Sequence, residues 1–269
     1  MSWTTLPRSE LTPRLAGHRS GEGPPLLLVH GVGMRAEFWG ALMSCLQGRF
    51  SLTVVDLPGH GESPCLSSAR ADLDGYTEVL AELLDDASEP WTVVGHSLGA
   101  LLALGLAVRH PCRVSGIGVL NGVYRRSDEA LATVRARAAE LSRTSAPDQT
   151  GTLARWFGES PTGADAAAAR LCGAWLDAAD RSGYADAYRA FADADAPPDE
   201  ALRAIRARAL VMTGSLEPNS TPAMAYRLAE LLPEAHCLVL DGARHMMPMT
   251  HAAAVGDALL ERFSDGERR

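Results

Sequence analysis

The stretch Gly95-His96-Ser97-Leu98-Gly99 places a polar pair between two glycines, after an apolar β-branched run and before a helix-forming run. Glycines two residues on either side of a serine let a strand and a helix approach closely around a tight turn. Such a turn holds the serine in a strained backbone conformation, which proteins retain mostly where it serves a site. The pattern therefore predicts that Ser97 is an exposed nucleophile rather than a core serine.

A serine hydroxyl is a weak nucleophile at neutral pH, so it needs a base, and the base needs an acid that orients it. We expect the base to be His245, which follows the last predicted strand and precedes the last predicted helix. The acid is expected between the two in sequence, and Glu217 directly follows a predicted strand in "VMTGSLEPNSTP". Asp241 lies nearer to His245 along the chain and is the alternative, although its place at a strand end also fits a turn or cap role.

An oxyanion that forms at the substrate carbonyl needs preorganised N–H donors. The backbone N–H of Leu98 starts a helix, whose positive end also favours an anion. The second candidate is the backbone N–H of Val32 in "HGVGM", although this segment also fits an ordinary glycine turn. For His30, His60 and His96, which lie near these turns, we expect hydrogen bonds within loops.

The scaffold that positions these groups is predicted from six short apolar runs that alternate with amphipathic helical patterns. The runs cover residues 25–31, 51–59, 91–97, 114–122, 207–214 and 235–242. Continuous apolar runs of this length, separated by helices, are typical of buried parallel strands. The sequence therefore predicts an α/β fold with a doubly wound, mostly parallel sheet.

One segment interrupts this alternation. Residues 123–204, called the insertion below, contain helical patterns rich in alanine and arginine without a convincing strand. We expect the insertion to form a helical lid over the carboxyl ends of the strands, where open α/β sheets bind ligands. A featureless helical bulge or a flexible linker is the alternative. Residues 1–122 and 205–269 are then expected to form the core.

Composition excludes several classes of protein. The hydrophobic fraction of 46% in 269 residues is ordinary for a globular protein, and no apolar run approaches the ~20 residues of a membrane span. The net charge of −8, without a cluster of cations, disfavours nucleic acid and anionic membranes as partners. Five scattered cysteines without a CxxC pair argue against disulfides and a zinc site, so reduced thiols and no metal are expected. The first ten residues lack a secretion signal, which predicts a cytoplasmic location, and the absence of lysine indicates a GC-rich bacterial genome.

Five segments resemble, in this order, motifs of the α/β-hydrolase fold family over nearly the whole chain. They are the oxyanion loop "LLLVHGVGM", the turn "VVDLPGHGES", the nucleophile turn "VVGHSLGA", the acid loop "TGSLEPNSTP" and the histidine loop "GARHMMP". Within that family, "LARWFGES", "RSGYADAYRAFADAD" and "NSTPAMA" are similar to segments of 3-oxoadipate enol-lactonases, which hydrolyse a small anionic enol-lactone. Glu217 departs from the aspartate that those enzymes usually carry.

Residues and resemblance together predict a serine hydrolase that cleaves a small ester or (enol-)lactone through an acyl-enzyme on Ser97, with no cofactor. Carbon–carbon bond hydrolysis of a ring-cleavage product and cofactor-free perhydrolysis are alternatives on the same three residues. A non-catalytic protein of this fold that only binds its ligand is a third alternative. The sequence does not indicate an oligomeric state.

The insertion also contains candidates for substrate recognition. Arg125 and Arg126 leave the end of a predicted strand, where their side chains begin near the expected pocket. A guanidinium binds a carboxylate well, and the indole of Trp156 offers a flat apolar wall. These three residues are therefore candidates for binding a small anionic substrate. In the alternative, the arginines only occupy a helix start and Trp156 only fills the lid's own core.

Overall fold

A computed structural model describes residues 5–86, 88–143 and 149–264 of the chain. The described part contains one eight-stranded sheet. Its strands are β1 (Ser9–Thr12), β2 (Leu15–Ser20), β3 (Pro25–Val29), β4 (Ser51–Val55), β5 (Trp91–His96), β6 (Val114–Leu120), β7 (Arg208–Gly214) and β8 (Ala235–Leu240). They lie side by side in the order β1-β2-β4-β3-β5-β6-β7-β8. Neighbours from β4 to β8 are parallel, whereas the β1–β2 and β2–β4 pairs are antiparallel.

The predicted α/β fold with a mostly parallel sheet is confirmed, since each of the six apolar runs forms a strand. All residues of β3 and of β5 are buried, as expected for central strands that are covered on both faces. The two antiparallel strands at the edge were not predicted. In β2, buried residues alternate with partly exposed ones, so the strand lacks the continuous apolar run that identified the others.

Eleven α-helices accompany the sheet in the described part of the chain. They are α1 (Gly40–Leu46), α2 (Leu73–Ala81), α3 (Leu98–Arg109), α4 (Asp128–Leu141), α5 (Thr150–Phe157), α6 (Gly163–Ala178), α7 (Arg181–Asp193), α8 (Asp199–Ala204), α9 (Pro222–Leu231), α10 (Met247–Thr250) and α11 (Ala252–Phe263). Helix α1 packs against α11, while α3 packs on β5 and β6 and against α2 and α8. None of the helices in the described ranges is both long and apolar enough to cross a membrane.

The insertion contains α4 to α8 and, in its described residues, no strand. It packs closely on the loop after β3. Gly33 in that loop has φ +78°, and a Cβ atom there would lie 2.6 Å from Leu176 Cδ2 and 2.9 Å from Tyr184 Cε2. Because Leu176 lies in α6 and Tyr184 in α7, two helices of the insertion pack on the loop that follows β3.

Candidate active site

Ser97 lies between the last residue of β5 and the first residue of α3, with φ +56° and ψ −113°. This left-handed φ is strained for a residue other than glycine. A Cβ atom at Gly95 would lie 1.9 Å from the Gly99 carbonyl oxygen, and one at Gly99 would lie 2.0 Å from the Val29 carbonyl oxygen. Both glycines are therefore required by the close approach of strand and helix, as the motif predicts.

The prediction that Ser97 is exposed is wrong for bulk solvent: only 8% of the residue's surface is accessible. It lines a partly open cavity of about 430 Å³, which His245 and Val32 line as well. The sequence could not distinguish exposure to solvent from exposure to a cavity, since helices of the insertion supply much of the cavity wall.

His245 and Glu217 form a buried pair on two neighbouring loops. His245 follows β8, Glu217 follows β7, and His245 Nδ1 lies 2.8 Å from Glu217 Oε2. The other carboxylate oxygen, Oε1, accepts hydrogen bonds from the backbone N–H groups of Asn219 at 2.7 Å and Ser220 at 3.2 Å. Burial by itself would raise the pKa of Glu217, but His245 and these N–H groups lower it below its ordinary value. An ionised Glu217 accepts a hydrogen bond from Nδ1–H of His245 and thereby leaves Nε2 unprotonated and able to act as a base.

Asp241, the alternative acid, is exposed and lies in the turn after β8. Its Oδ1 accepts a hydrogen bond from Ser215 Oγ at 3.1 Å, and Ser215 Oγ in turn accepts one from the Gly242 backbone N–H at 2.9 Å. These contacts stabilise the turn. The structure thus pairs His245 with Glu217, and it places Asp241 in the turn role that its sequence position also allowed.

Asn121 was missed by the sequence analysis. It follows β6, has φ +51° and is buried. Its Nδ2 lies 3.3 Å from Glu217 Oε2, the oxygen that faces His245, and 3.3 Å from Thr213 Oγ1. The available signal was a polar residue at the carboxyl end of a parallel strand, where the side chains of a site converge.

We expect Asn121→Asp to reduce kcat by at least tenfold at neutral pH, because a second carboxylate beside buried Glu217 makes it costly to ionise both. The acidic limb of the kcat profile should move to higher pH, because Glu217 and the new carboxylate at position 121 then share one proton up to a higher pH. Asn121→Gly removes the amide without adding charge and suits the positive φ, so its loss should be smaller. Steady-state kinetics between pH 5 and 9 measures both effects. An Asn121→Asp enzyme with the wild-type rate and profile would show that Asn121 does not position Glu217.

His30 and His60 make hydrogen bonds between loops, as predicted, whereas His96, the last residue of β5, bonds to the histidine loop. His96 Nε2 donates to the His245 carbonyl oxygen at 2.8 Å and so ties the histidine loop to β5. His30 Nε2 accepts from the Leu57 backbone N–H at 2.9 Å, and His60 Nε2 accepts from that of Gly33 at 3.0 Å. Burial lowers the pKa of His30 to about 3 and also lowers the pKa of His60. Both rings are therefore neutral acceptors that hold the loop after β3.

The two backbone N–H groups expected to bind an oxyanion belong to Val32 and Leu98. In the described part of the chain, neither the Val32 nor the Leu98 N–H donates a hydrogen bond to the protein. Leu98 is the first residue of α3, where an N–H has no partner within the helix. The loop that carries Val32 approaches Ser97 closely, since a Cβ atom at Gly31 would lie 2.9 Å from Ser97 Cβ.

The three recognition candidates in the insertion have different places. Arg126 and Trp156 line the cavity with Ser97 and His245. The indole of Trp156 stacks on the His245 ring with centroids 6.1 Å apart and an interplanar angle of 18°. Arg125, whose side chain is 55% exposed, forms an ion pair with Asp199 at 2.6 Å and is not among the described residues that line the cavity.

A mostly parallel sheet with a strained serine after a central strand, and a histidine–carboxylate pair on later loops, is the architecture of α/β hydrolases. The chain belongs to the alpha/beta hydrolase family, whose model matches residues 26–258.

Three comparisons illustrate the range of similar proteins. An (E)-2-((N-methylformamido)methylene)succinate hydrolase of Acinetobacter baylyi is 36% identical over 240 residues, which are 89% of this chain and 90% of that protein. A pimeloyl-[acyl-carrier protein] methyl ester esterase of Nitrosospira multiformis is 42% identical over 99 residues, which are 36% of this chain and 38% of that one. The crystal structure of the enol-lactonase from Burkholderia xenovorans LB400 has a TM-score of 0.80 at 21% identity, covering 96% of this chain and 100% of that chain. The family and the names of the two sequence relatives support hydrolase activity, and the enol-lactonase structure shows the shared fold.

Proposed function

We propose that the protein is a serine hydrolase of small esters or lactones, in which Ser97 is the nucleophile, His245 the base and Glu217 the orienting acid. The observation that carries this proposal is the 2.8 Å contact of His245 Nδ1 with Glu217 Oε2 in the loops beside the cavity that Ser97 lines. A strained serine and a buried, oriented imidazole on one cavity are the two parts of an activated hydroxyl nucleophile.

In the proposed reaction, Ser97 Oγ attacks the carbonyl carbon while His245 Nε2 takes the hydroxyl proton. The N–H groups of Val32 and Leu98 stabilise the negative charge on the carbonyl oxygen. Collapse of the tetrahedral intermediate breaks the acyl C–O bond, and His245 gives its proton to the departing alkoxide. Water then attacks the acyl-enzyme with His245 again as base, which releases the acid and restores Ser97.

The size and walls of the cavity support a small substrate. Its volume of about 430 Å³ lies at the lower end of small-molecule sites. The insertion contributes Arg126, Thr152, Trp156 and Tyr188 to the walls. We therefore assign residues 123–204 as a lid that selects the substrate, on a core formed by residues 1–122 and 205–269.

A second candidate is cleavage of an N-acylated aminomethylene succinate. The observation in its favour is the match to the Acinetobacter baylyi hydrolase, which extends over 89% of this chain and therefore into the insertion. The same acyl-enzyme steps apply, with an enamine nitrogen in place of the alkoxide as the leaving group.

The two candidates are separated by a substrate panel. We expect the purified protein to hydrolyse ethyl acetate and γ-butyrolactone analogues with kcat/KM at least about tenfold above that for dodecanoate esters, because a small cavity excludes long acyl chains. N-acylated aminomethylene succinates are assayed beside them by pH-stat and ultraviolet absorbance. Turnover of these enamides alone would replace the ester assignment with the second candidate. If the protein hydrolysed no compound of the panel, both the ester or lactone assignment and the second candidate would be contradicted.

A further inference from the structure

Arg126 is a buried cation without an acidic partner. The residue is 7% exposed, and among the described residues no carboxylate lies within salt-bridge distance of its side chain. The nearby Asp195 carboxylate accepts hydrogen bonds from the backbone N–H groups of Arg125 at 3.0 Å and Arg126 at 3.3 Å instead. An arginine keeps its charge in proteins, so a positive charge is held beside the cavity without a directly paired carboxylate, while Asp195 and Asp193 interact with it only at longer range.

The Arg126 guanidinium is fixed at one end only. Its Nη2 donates to the carbonyl oxygens of Phe191 and Ala194, and its Cζ lies 5.0 Å from the centroid of the Phe191 ring. The Nε and Nη1 atoms are buried and have no hydrogen-bond partner in the described part of the protein. Buried donors of a charged group are costly to leave unsatisfied, and such groups in native proteins call for an explanation.

The other charged groups of the cavity do not supply this partner. Glu129 and Arg155 also line the cavity, but both are exposed, where solvent screens their charge. Arg155 Nη2 donates to Thr152 Oγ1 at 3.1 Å. Glu217 does not line the cavity, and its carboxylate already accepts hydrogen bonds from His245, Asn121 and two backbone N–H groups.

We propose that Arg126 binds a carboxylate of the substrate, so that the enzyme selects acyl compounds that carry a negative charge besides the reacting carbonyl. This inference rests on the proposed serine hydrolase function and names the substrate class of the same site. Arg126 lines the cavity, so its guanidinium supplies positive charge and N–H donors at the wall, and the substrate carboxylate supplies the acceptors and a directly paired negative charge. Arg125 has no part in this contact because Asp199 already neutralises it outside the cavity lining.

The test compares ester pairs of equal size and different charge. Monoethyl esters of succinate, glutarate and adipate are assayed beside the analogues in which the free carboxylate is a primary amide. We expect the wild type to prefer the anionic member of at least one pair, and Arg126→Gln to reduce that preference by about 10- to 100-fold, the range for hydrogen bonds to charged groups. Arg125→Gln, the adjacent arginine outside the cavity lining, is the matched control and should keep the wild-type ratio. Equal ratios in wild type and Arg126→Gln would overturn the proposal.

Two additions keep the result independent of folding and of turnover. The neutral ester reports whether the site is intact, and Arg126→Lys keeps the charge and should retain part of the preference. Calorimetric binding of succinate, glutarate and adipate to Ser97→Ala, with and without Arg126→Gln, measures the carboxylate contact without chemistry. Weaker binding of a diacid by at least about tenfold in the double variant supports the proposal even if no ester is hydrolysed. Unchanged binding, or no binding to Ser97→Ala, overturns it.

Discussion

Replacing Ser97 with alanine should reduce kcat/KM by about 10⁴- to 10⁶-fold, the range for loss of a nucleophile in enzymes of this mechanism. The substitution removes the one hydroxyl that the strand-to-helix turn holds at φ +56° on the cavity beside His245. Because the Cβ atom is retained, the close contacts around Gly31, Gly95 and Gly99 are unchanged. The expected protein is therefore folded, with a wild-type far-UV spectrum, and inactive.

A second serine in the cavity provides the control. Ser127 lines the same cavity and accepts a hydrogen bond from the Ala130 backbone N–H at 3.2 Å as the N-cap of α4. Ser127→Ala should cost about 1 kcal/mol of stability through the lost cap and little activity. A fluorophosphonate probe should label the wild type and Ser127→Ala but leave Ser97→Ala unlabelled, as read by intact-mass spectrometry. Labelling of Ser97→Ala, or turnover above a tenth of the wild-type rate, would refute Ser97 as the nucleophile.

Much of the candidate site could be predicted because its parts are local. The turn at Ser97 needs Gly95 and Gly99 for steric reasons, so five consecutive residues are enough to recognise the turn in the sequence. The loops that carry Glu217 and His245 follow buried strands with continuous apolar runs, and the carboxyl ends of parallel strands meet at one edge of the sheet. Chain order and strand pattern were therefore enough to predict that Ser97 and His245 line one cavity and that Glu217 contacts His245.

The parts that could not be predicted depend on side-chain direction. Arg125 and Arg126 are adjacent and identical in type, yet one pairs with Asp199 and the other lines the cavity. The φ of +51° at Arg125 turns the chain between them, and no local pattern specifies this value for an arginine. Asn121 was missed for a related reason, since its contact with Glu217 joins positions 96 residues apart in sequence.

Glu217→Gln should reduce kcat by about 10³- to 10⁴-fold, close to the effect of the equivalent carboxylate-to-amide change in other serine hydrolases. The carboxylate lies 2.8 Å from His245 Nδ1 in a buried site, and its pKa is lowered below the ordinary value, so it is ionised throughout the neutral range. A neutral amide cannot stabilise the imidazolium that forms when Ser97 attacks. An amide N–H turned toward Nδ1 would also favour the wrong tautomer of His245. KM should change much less than kcat, because Glu217 is not among the described residues that line the cavity.

Two variants make this prediction specific to the position of the charge. Asp241→Asn removes the carboxylate that is nearer to His245 along the chain, but its contact is with Ser215, so kcat should stay within about twofold of the wild type. Glu217→Asp keeps the charge but shortens the side chain by one methylene, which lengthens the 2.8 Å contact with His245 Nδ1 unless the loop moves toward the histidine. Because the charge remains, this variant should retain more activity than Glu217→Gln. Steady-state kinetics on one ester decides between the two acids. If Asp241→Asn lost the larger factor, Asp241 would be the acid, and the buried Glu217–His245 contact would serve structure alone.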